Sequence, residues 1–236
     1  MDKKLRQAQL KALEIFEGGA GHFALCGGTA LELYYLKHRF SVDLDFFSPV
    51  FDINEIERLT GLFAKGFKCK VKLEAELSLP SMARVRFYTI PVKGATRPLK
   101  LDFAEEVMIK EPRIENHKGV RVYSAEDIYF LKITTVTGSR ATFDETGRET
   151  MQGRNKARDA FDIYMLSKKI KPLHVFLKKM PRQFQRGMVH WYRSFSRQDL
   201  KLELLDLDIY LKDFDSSKMI SYLEKEIKQF MEKEML

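Results

Sequence analysis

"CGGTALELYYLKHRFSVDLDFF", residues 26–47, decides how this chain is read. Gly27-Gly28-Thr29 opens the stretch, a short apolar helix pattern follows, and it closes on Asp43 and Asp45 inside a hydrophobic run. Successive side chains of a strand point to opposite faces. Asp43 and Asp45 therefore share one face while Leu44 and Phe46 enter the core. Along the strand the two carboxylates stand roughly 6.5–7 Å apart. Unpaired carboxylates in one site repel each other and raise a pKa. A Mg²⁺ ion cancels that cost and prefers oxygen ligands.

Two further features fit the same chemistry. Asp102, in LKLDF, sits on the polar face of a strand whose other face is apolar. If that strand neighbours the Asp43/Asp45 strand, three carboxylates meet, the donor set of a two-metal site with ions about 3.5–4 Å apart. The plainer alternative pairs Asp102 with Lys100. Gly27-Gly28-Thr29 makes a glycine turn running into a helix, which exposes backbone N–H groups to an anion such as a triphosphate. Thr29 is a phosphate donor, an N-cap, or both at once. Arg39 either forks onto phosphate oxygens or pairs with the aspartates.

Working outward, residues 3–17 read as a helix, 22–26 as a short strand, 29–37 as a helix and 43–47 as a strand. A helix capped by Asn54 runs to about residue 65. The strictest alternation covers Phe67 to Leu79 and predicts a strand with one wet face. Strands follow around residues 84–87, 99–103 and 120–122, and a helix opens at Ser124. Residues 138–155, GSRATFDETGRETMQGRN, read as a long polar loop. Helices at 156–169, 173–180 and 217–234 complete the chain. The reading is an α/β half, residues 1–123, with a mixed sheet and flanking helices, then an all-helical half, residues 124–236.

Composition excludes several classes. The 236 residues are 44% hydrophobic and 31% charged, enough for a real core. Two cysteines, Cys26 and Cys69, form neither a metal-ligand spacing nor a disulfide framework. No signal-peptide pattern or membrane-span run is present, so a soluble cytoplasmic protein is expected. The net charge of +8 suits a polyanionic partner, although a basic surface has no need of one. Lys168, Lys169, Lys171, Lys178, Lys179, Arg182, Arg186, Arg193 and Arg197 concentrate in the helical half, as a solvated face or a surface tracking RNA phosphates.

GGTALELYYLKHRFSVDLDFF resembles the signature of the nucleotidyltransferase superfamily, and specifically the AbiEii/AbiGii toxin family. The resemblance lies in the Gly-Gly-Ser/Thr turn, the His-Arg-x-Ser before Asp-Leu-Asp, and a later Arg-Asp-x-x-Asp-x-Tyr helix. That helix matches Arg158, Asp159, Asp162 and Tyr164 in KARDAFDIYML, and Lys132 in EDIYFLKI matches a preceding lysine. The stretch 138–155 between the two is longer than the family's connection. The resemblance implies a nucleotidyltransferase fold in which Asp43 and Asp45 bind metal, Lys132 and Asp159 complete the catalytic set, and the helical half completes the active site. It also implies an NTP substrate, a cognate antitoxin and, in some members, transfer to the tRNA 3′ end. Read from the residues alone, Lys132 is otherwise a snorkelling lysine and Asp162 a partner of Arg158. Two other functions remain open at this stage: transfer of a nucleotide to a protein side chain, and a degenerate RNA-binding module.

Overall fold

A computed structural model describes residues 1–79, 82–138, 141–143, 149–151 and 153–234. The chain divides into two compact units, Met1–Asp127 and Ile128–Leu236. This division falls one helical turn beyond residue 123. The first turn of helix α4 (Ala125–Thr137) is tied to the first unit: Asp127 accepts from the Arg113 N–H at 2.6 Å and Glu126 pairs with Arg113 at 2.8 Å.

In the first unit the elements are α1 (Lys3–Glu17), β1 (Ala24–Cys26), α2 (Gly27–Ala30), β2 (Leu44–Ser48), α3 (Ile53–Phe67), β3 (Lys72–Leu77), β4 (Val85–Ile90), β5 (Leu99–Glu105), β6 (Ile114–His117) and β7 (Val120–Tyr123). One mixed sheet runs in the order β3-β4-β5-β2-β1-β7-β6. The β2–β5 and β1–β7 pairs are parallel; the other pairs are antiparallel. Helices α1 and α3 bury the sheet face carrying Phe46 and Phe103. Phe46 stacks on Phe16 at 4.3 Å and on Phe103 at 5.2 Å, with Phe63 at 6.5 Å. Burying one such ring stabilises by about 1.5–3 kcal/mol. β2 keeps the alternation expected of it: Leu44, Phe46 and Ser48 are buried, while Asp45 and Phe47 on the opposite face are half-buried.

Three sequence expectations need correction here. The helix expected over 29–37 begins earlier, at Gly27, and after one α turn widens into a π-helical segment, Leu31–Leu36. Lys37, in the left-handed conformation at φ 49°, donates to the Glu32 carbonyl five residues back. The long alternating strand of residues 67–79 shrinks to β3, because α3 continues through Phe67. β3 has no wet and dry face. A bulge shifts its register so that Leu73 opposes Tyr88 while Ala75 opposes Phe87, and Glu74 is the extra residue. Leu73 and Leu77 thus fall on opposite faces and stay 45% and 46% exposed. Finally, β6 was not foreseen. It folds back on β7 through Lys118 and Gly119, both at positive φ, as a two-residue hairpin turn requires.

The second unit continues α4 and adds β8 (Ala141–Phe143), β9 (Glu149–Met151), α5 (Ala157–Lys169), α6 (Leu173–Leu177), α7 (Arg182–Ser194), α8 (Arg197–Leu205) and α9 (Ser216–Glu234). Among its described residues the only strands are the antiparallel pair β8–β9, with Ala141 opposite Met151, which lies within the tract read as a loop. The remainder of that reading, on residues 139–140, 144–148 and 152, lies outside the described residues. Tyr129 stacks on Phe176 at 4.1 Å and Trp191 on Phe195 at 4.7 Å in this unit's core.

Candidate active site

Strand register decides what the aspartates can do. Asp45 of β2 lies directly opposite Asp102 of β5, and Cys26 of β1 lies opposite Asp45 on its other side. Phe87 of β4 is opposite Asp102, so one sheet face carries the row Cys26, Asp45, Asp102, Phe87. Neighbouring strands are about 4.8 Å apart. Two carboxylates therefore stand side by side, and like charges directly opposite are destabilising. Asp102 has two charged neighbours: it lies opposite Asp45, and the Lys100 ammonium sits 3.5 Å from its carboxylate. Lys100 in turn lies over the Phe87 ring.

Gly27 explains its own identity. Its φ is +70°, and a Cβ there would lie 2.2 Å from Asp45 Oδ2. Only a glycine lets the backbone press so closely on that carboxylate. A Cβ on Gly28 would sit 2.7 Å from Ser41 Oγ and 2.8 Å from Arg39 Nη2. The glycine turn is thus enclosed by Asp45, Ser41 and the Arg39 guanidinium. Arg39 is buried and donates to the Phe40 carbonyl at 3.2 Å. Thr29 is fully buried, and its hydroxyl donates to the Asp43 carbonyl. In this geometry the Thr29 hydroxyl proton ties the turn to the start of β2 and is not offered to a phosphate. Asp43, just ahead of β2, is half-buried.

Residues unremarked in the sequence hold this loop. Glu32, buried in the π-helical segment, accepts from the Ser41 N–H at 2.8 Å and forms an ion pair with Arg6. Gln9 of α1 donates to the Ser41 carbonyl at 2.8 Å. Two helical segments thereby hold both backbone groups of Ser41, its N–H and its carbonyl, in the loop between His38 and Asp43. Neither partner could be found by local spacing, because the contacts span 9 and 32 residues.

The donor set Asp43, Asp45 and Asp102 is all oxygen and suits a hard divalent cation such as Mg²⁺. The side-by-side Asp45 and Asp102 carboxylates, with the Gly27 backbone against one of them, fit such an ion. Among the described residues, the trio within 4.8 Å ligand-to-ligand reach is a different one: His22, Asp52 and Glu55. Those carboxylates already serve the backbone. Glu55 accepts from Gly21 N at 2.6 Å and His22 N at 2.9 Å, and Asp52 caps α3 through Asn54 N at 2.9 Å. This cluster closes the loop ahead of β1, at the opposite end of that strand from Gly27.

Lys132 and Asp159 lie in the second unit, within a buried ion cluster. The Lys132 ammonium is 2.8 Å from Asp159 Oδ1 and 2.8 Å from Asp162 Oδ2. Both aspartates are 0% exposed, because residues three apart share a helix face and that face is turned inward. Arg154 adds bonds of 2.8 and 3.0 Å to Asp159. Burial pushes the Asp159 carboxyl up, but Lys132 and Arg154 outweigh it and hold the group below the usual carboxylate range. Lys132 is thus a doubly paired buried cation and does not snorkel; Asp162 pairs with it. Arg154 went unseen because it sits in a tract with no hydrophobic period.

The family model of the nucleotidyl transferase AbiEii toxin of type IV toxin–antitoxin systems matches residues 10–234. The chain belongs to the AbiEii nucleotidyltransferase toxin family. It is accordingly a nucleotidyltransferase and a toxin, with an NTP as substrate and an antitoxin as counterpart. No curated protein matches the sequence. Two solved structures share the AbiEii chain's fold. One, from H. pylori, is described as a candidate nucleotidyltransferase, with 19% identity, a TM-score of 0.57, and coverage of 98% of this chain and 96% of that one. The other is JHP933 from Helicobacter pylori, with 19% identity, a TM-score of 0.55, and coverage of 97% and 92%. Among the described residues, no helix of this AbiEii-family chain is long and apolar enough to cross a membrane.

Proposed function

We propose that the chain transfers the nucleoside monophosphate of an NTP to an RNA hydroxyl, the tRNA 3′ end, in the cytoplasm, with Mg²⁺ held by Asp43, Asp45 and Asp102. The observation carrying this reading is the Asp45–Asp102 pair on one sheet face with the Gly27 backbone against it. Mg²⁺ bound there would neutralise the paired carboxylates and the triphosphate. The N–H groups of Gly27 and Gly28 orient the triphosphate, and the buried Arg39 guanidinium beside Gly28 adds fixed positive charge. Thr29 serves indirectly, by holding the turn to Asp43. Lys132 and Asp159, read as the remaining members of the catalytic set, form their own buried ion pair in the second unit.

In the reaction, a bond forms between the acceptor oxygen and the α-phosphorus. The bond from that phosphorus to the bridging oxygen breaks, and pyrophosphate leaves with the electron pair. The acceptor proton passes to a carboxylate of the row; the position of Asp102 opposite Asp45 supports that residue as the acceptor. The net charge of +8 supports a polyanionic acceptor.

Incubation with α-labelled NTP and total cell extract tests this. Label should appear in material destroyed by RNase, should require Mg²⁺, and should vanish in Asp45→Ala without loss of fold. Label sensitive to protease but not RNase would move the acceptor to protein, and undiminished labelling by Asp45→Ala would sink the site.

A further inference from the structure

We propose that the outer face of α7, with the end of α9, forms a groove that binds the backbone of single-stranded RNA. This assignment of the ligand rests on the proposed transfer to an RNA hydroxyl. The sequence of α7, RQFQRGMVHWYRS, holds three arginines, one histidine and no carboxylate. Its helical period sorts these cleanly. Phe184, Met188, Trp191 and Tyr192 are buried on the inner face. Arg182, Arg186, His190 and Arg193, spaced four, four and three apart, share the outer face.

That outer face is concave. Arg182, Arg186, His190 and Arg193 line a 520 Å³ cavity whose apolar floor includes Val189 and, from α9, Phe230 and Met231. From Arg182 to Arg193 the row runs about 16 Å along the axis, longer than a single phosphate group needs. Among the described residues, no carboxylate pairs with any of the three arginines; Arg193 makes only a 3.6 Å contact to the Met231 sulfur. Two acids of this unit are paired elsewhere: Glu203 meets Lys156 and Glu224 meets Lys228. A row of uncompensated guanidinium groups matches consecutive phosphates, which each fork-shaped group can bind bidentately. The apolar floor offers a surface for base faces. His190 also borders a second hollow of 250 Å³, next to the buried Trp191. The indole N–H of Trp191 is buried and has no partner among the described residues. RNA supplies phosphates at regular spacing together with flat bases that can lie on the apolar floor, whereas the carboxylates of an acidic peptide sit on flexible stems.

The probe is a fluorescent oligouridylate, titrated by anisotropy at several salt concentrations. Arg186→Ala and Arg193→Ala should each weaken binding several-fold and reduce the log–log salt slope by about 0.7. Arg186→Lys should keep the slope and lose part of the affinity. Both side chains are exposed, so melting temperatures should hold. Unchanged slopes in the alanine variants would overturn the groove. Displacement of the oligonucleotide by polyglutamate at equal charge would assign the surface to an acidic protein instead. Asp45→Asn should bind oligouridylate as the unaltered chain does. If no variant or unaltered protein incorporates label, yet RNA binding still depends on Arg186, the transfer reading fails and the groove stands.

Discussion

Asp45 and Asp102 occupy directly opposed positions on two parallel neighbouring strands, and the backbone of Gly27 closes over the Asp45 carboxylate. Two like charges side by side are a standing cost of about 0.2–1 kcal/mol. In chelator, Asp102→Asn should therefore unfold at slightly higher denaturant than the unaltered chain. Adding Mg²⁺ should raise the unaltered chain's midpoint and leave that of Asp102→Asn nearly still. An equal Mg²⁺ shift in both proteins would remove Asp102 from the metal site.

Gly27→Ala tests the turn. Its φ of +70° would cost an L-residue about 1–3 kcal/mol, and the new methyl group must displace Asp45 Oδ2. Nucleotide transfer should fall at least a hundredfold while the chain still folds. Denaturant titration alongside a transfer assay separates the two effects; a fold loss without activity loss would contradict the geometry.

The Lys132 cluster should behave as a charge-balanced unit. Lys132→Met leaves two buried aspartates short of a cation and should destabilise by about 3–5 kcal/mol. Combining it with Asp159→Asn and Asp162→Asn should recover part of that loss, because no uncompensated buried charge remains. Urea titrations of the single and triple variants give the coupling. Additive losses would show that the groups act independently.

Acid should reach the same cluster. Asp159 is held below its unfolded value of 3.8, so its contribution is fully present above about pH 4 and is lost as pH falls through the folded pKa. Asp2, held to about 2 first by the Thr96 backbone N–H, is lost in the same direction. Stability measured from pH 5 to pH 2 should fall steeply in the unaltered chain and less steeply in Asp159→Asn. Parallel profiles would show that Asp159 does not carry the acid sensitivity.

Much of this was legible from the residues. DLDFF and LKLDF each alternate over a short run, so the face of Asp45 and the face of Asp102 followed from the two-residue period of a strand. That β2 and β5 are neighbours did not follow, because a parallel pairing joins segments far apart in sequence. β6 was missed since IENH has no alternation and Lys-Gly is a weaker turn signal than Asn-Gly. The sequence offers the Thr29 hydroxyl both to a phosphate and to an N-cap; its acceptor, the Asp43 carbonyl, is visible only with β2 placed beside the turn. Glu32 carries no signal in the helix pattern of residues 29–37, because its partner Ser41 lies beyond the end of that helix.

The bulge at Glu74 also shapes how the chain behaves in company. β3 is the outer rim of the sheet, with a ladder open to any passing strand. A straight KLEAEL would align Leu73, Ala75 and Leu77 into one greasy stripe, the geometry from which amyloid-like stacking grows. By throwing Leu73 to the opposite side, one extra residue breaks both the stripe and the regular spacing of the ladder. Crowded copies of this toxin are thereby denied a template for edge-to-edge growth, at the expense of a single glutamate.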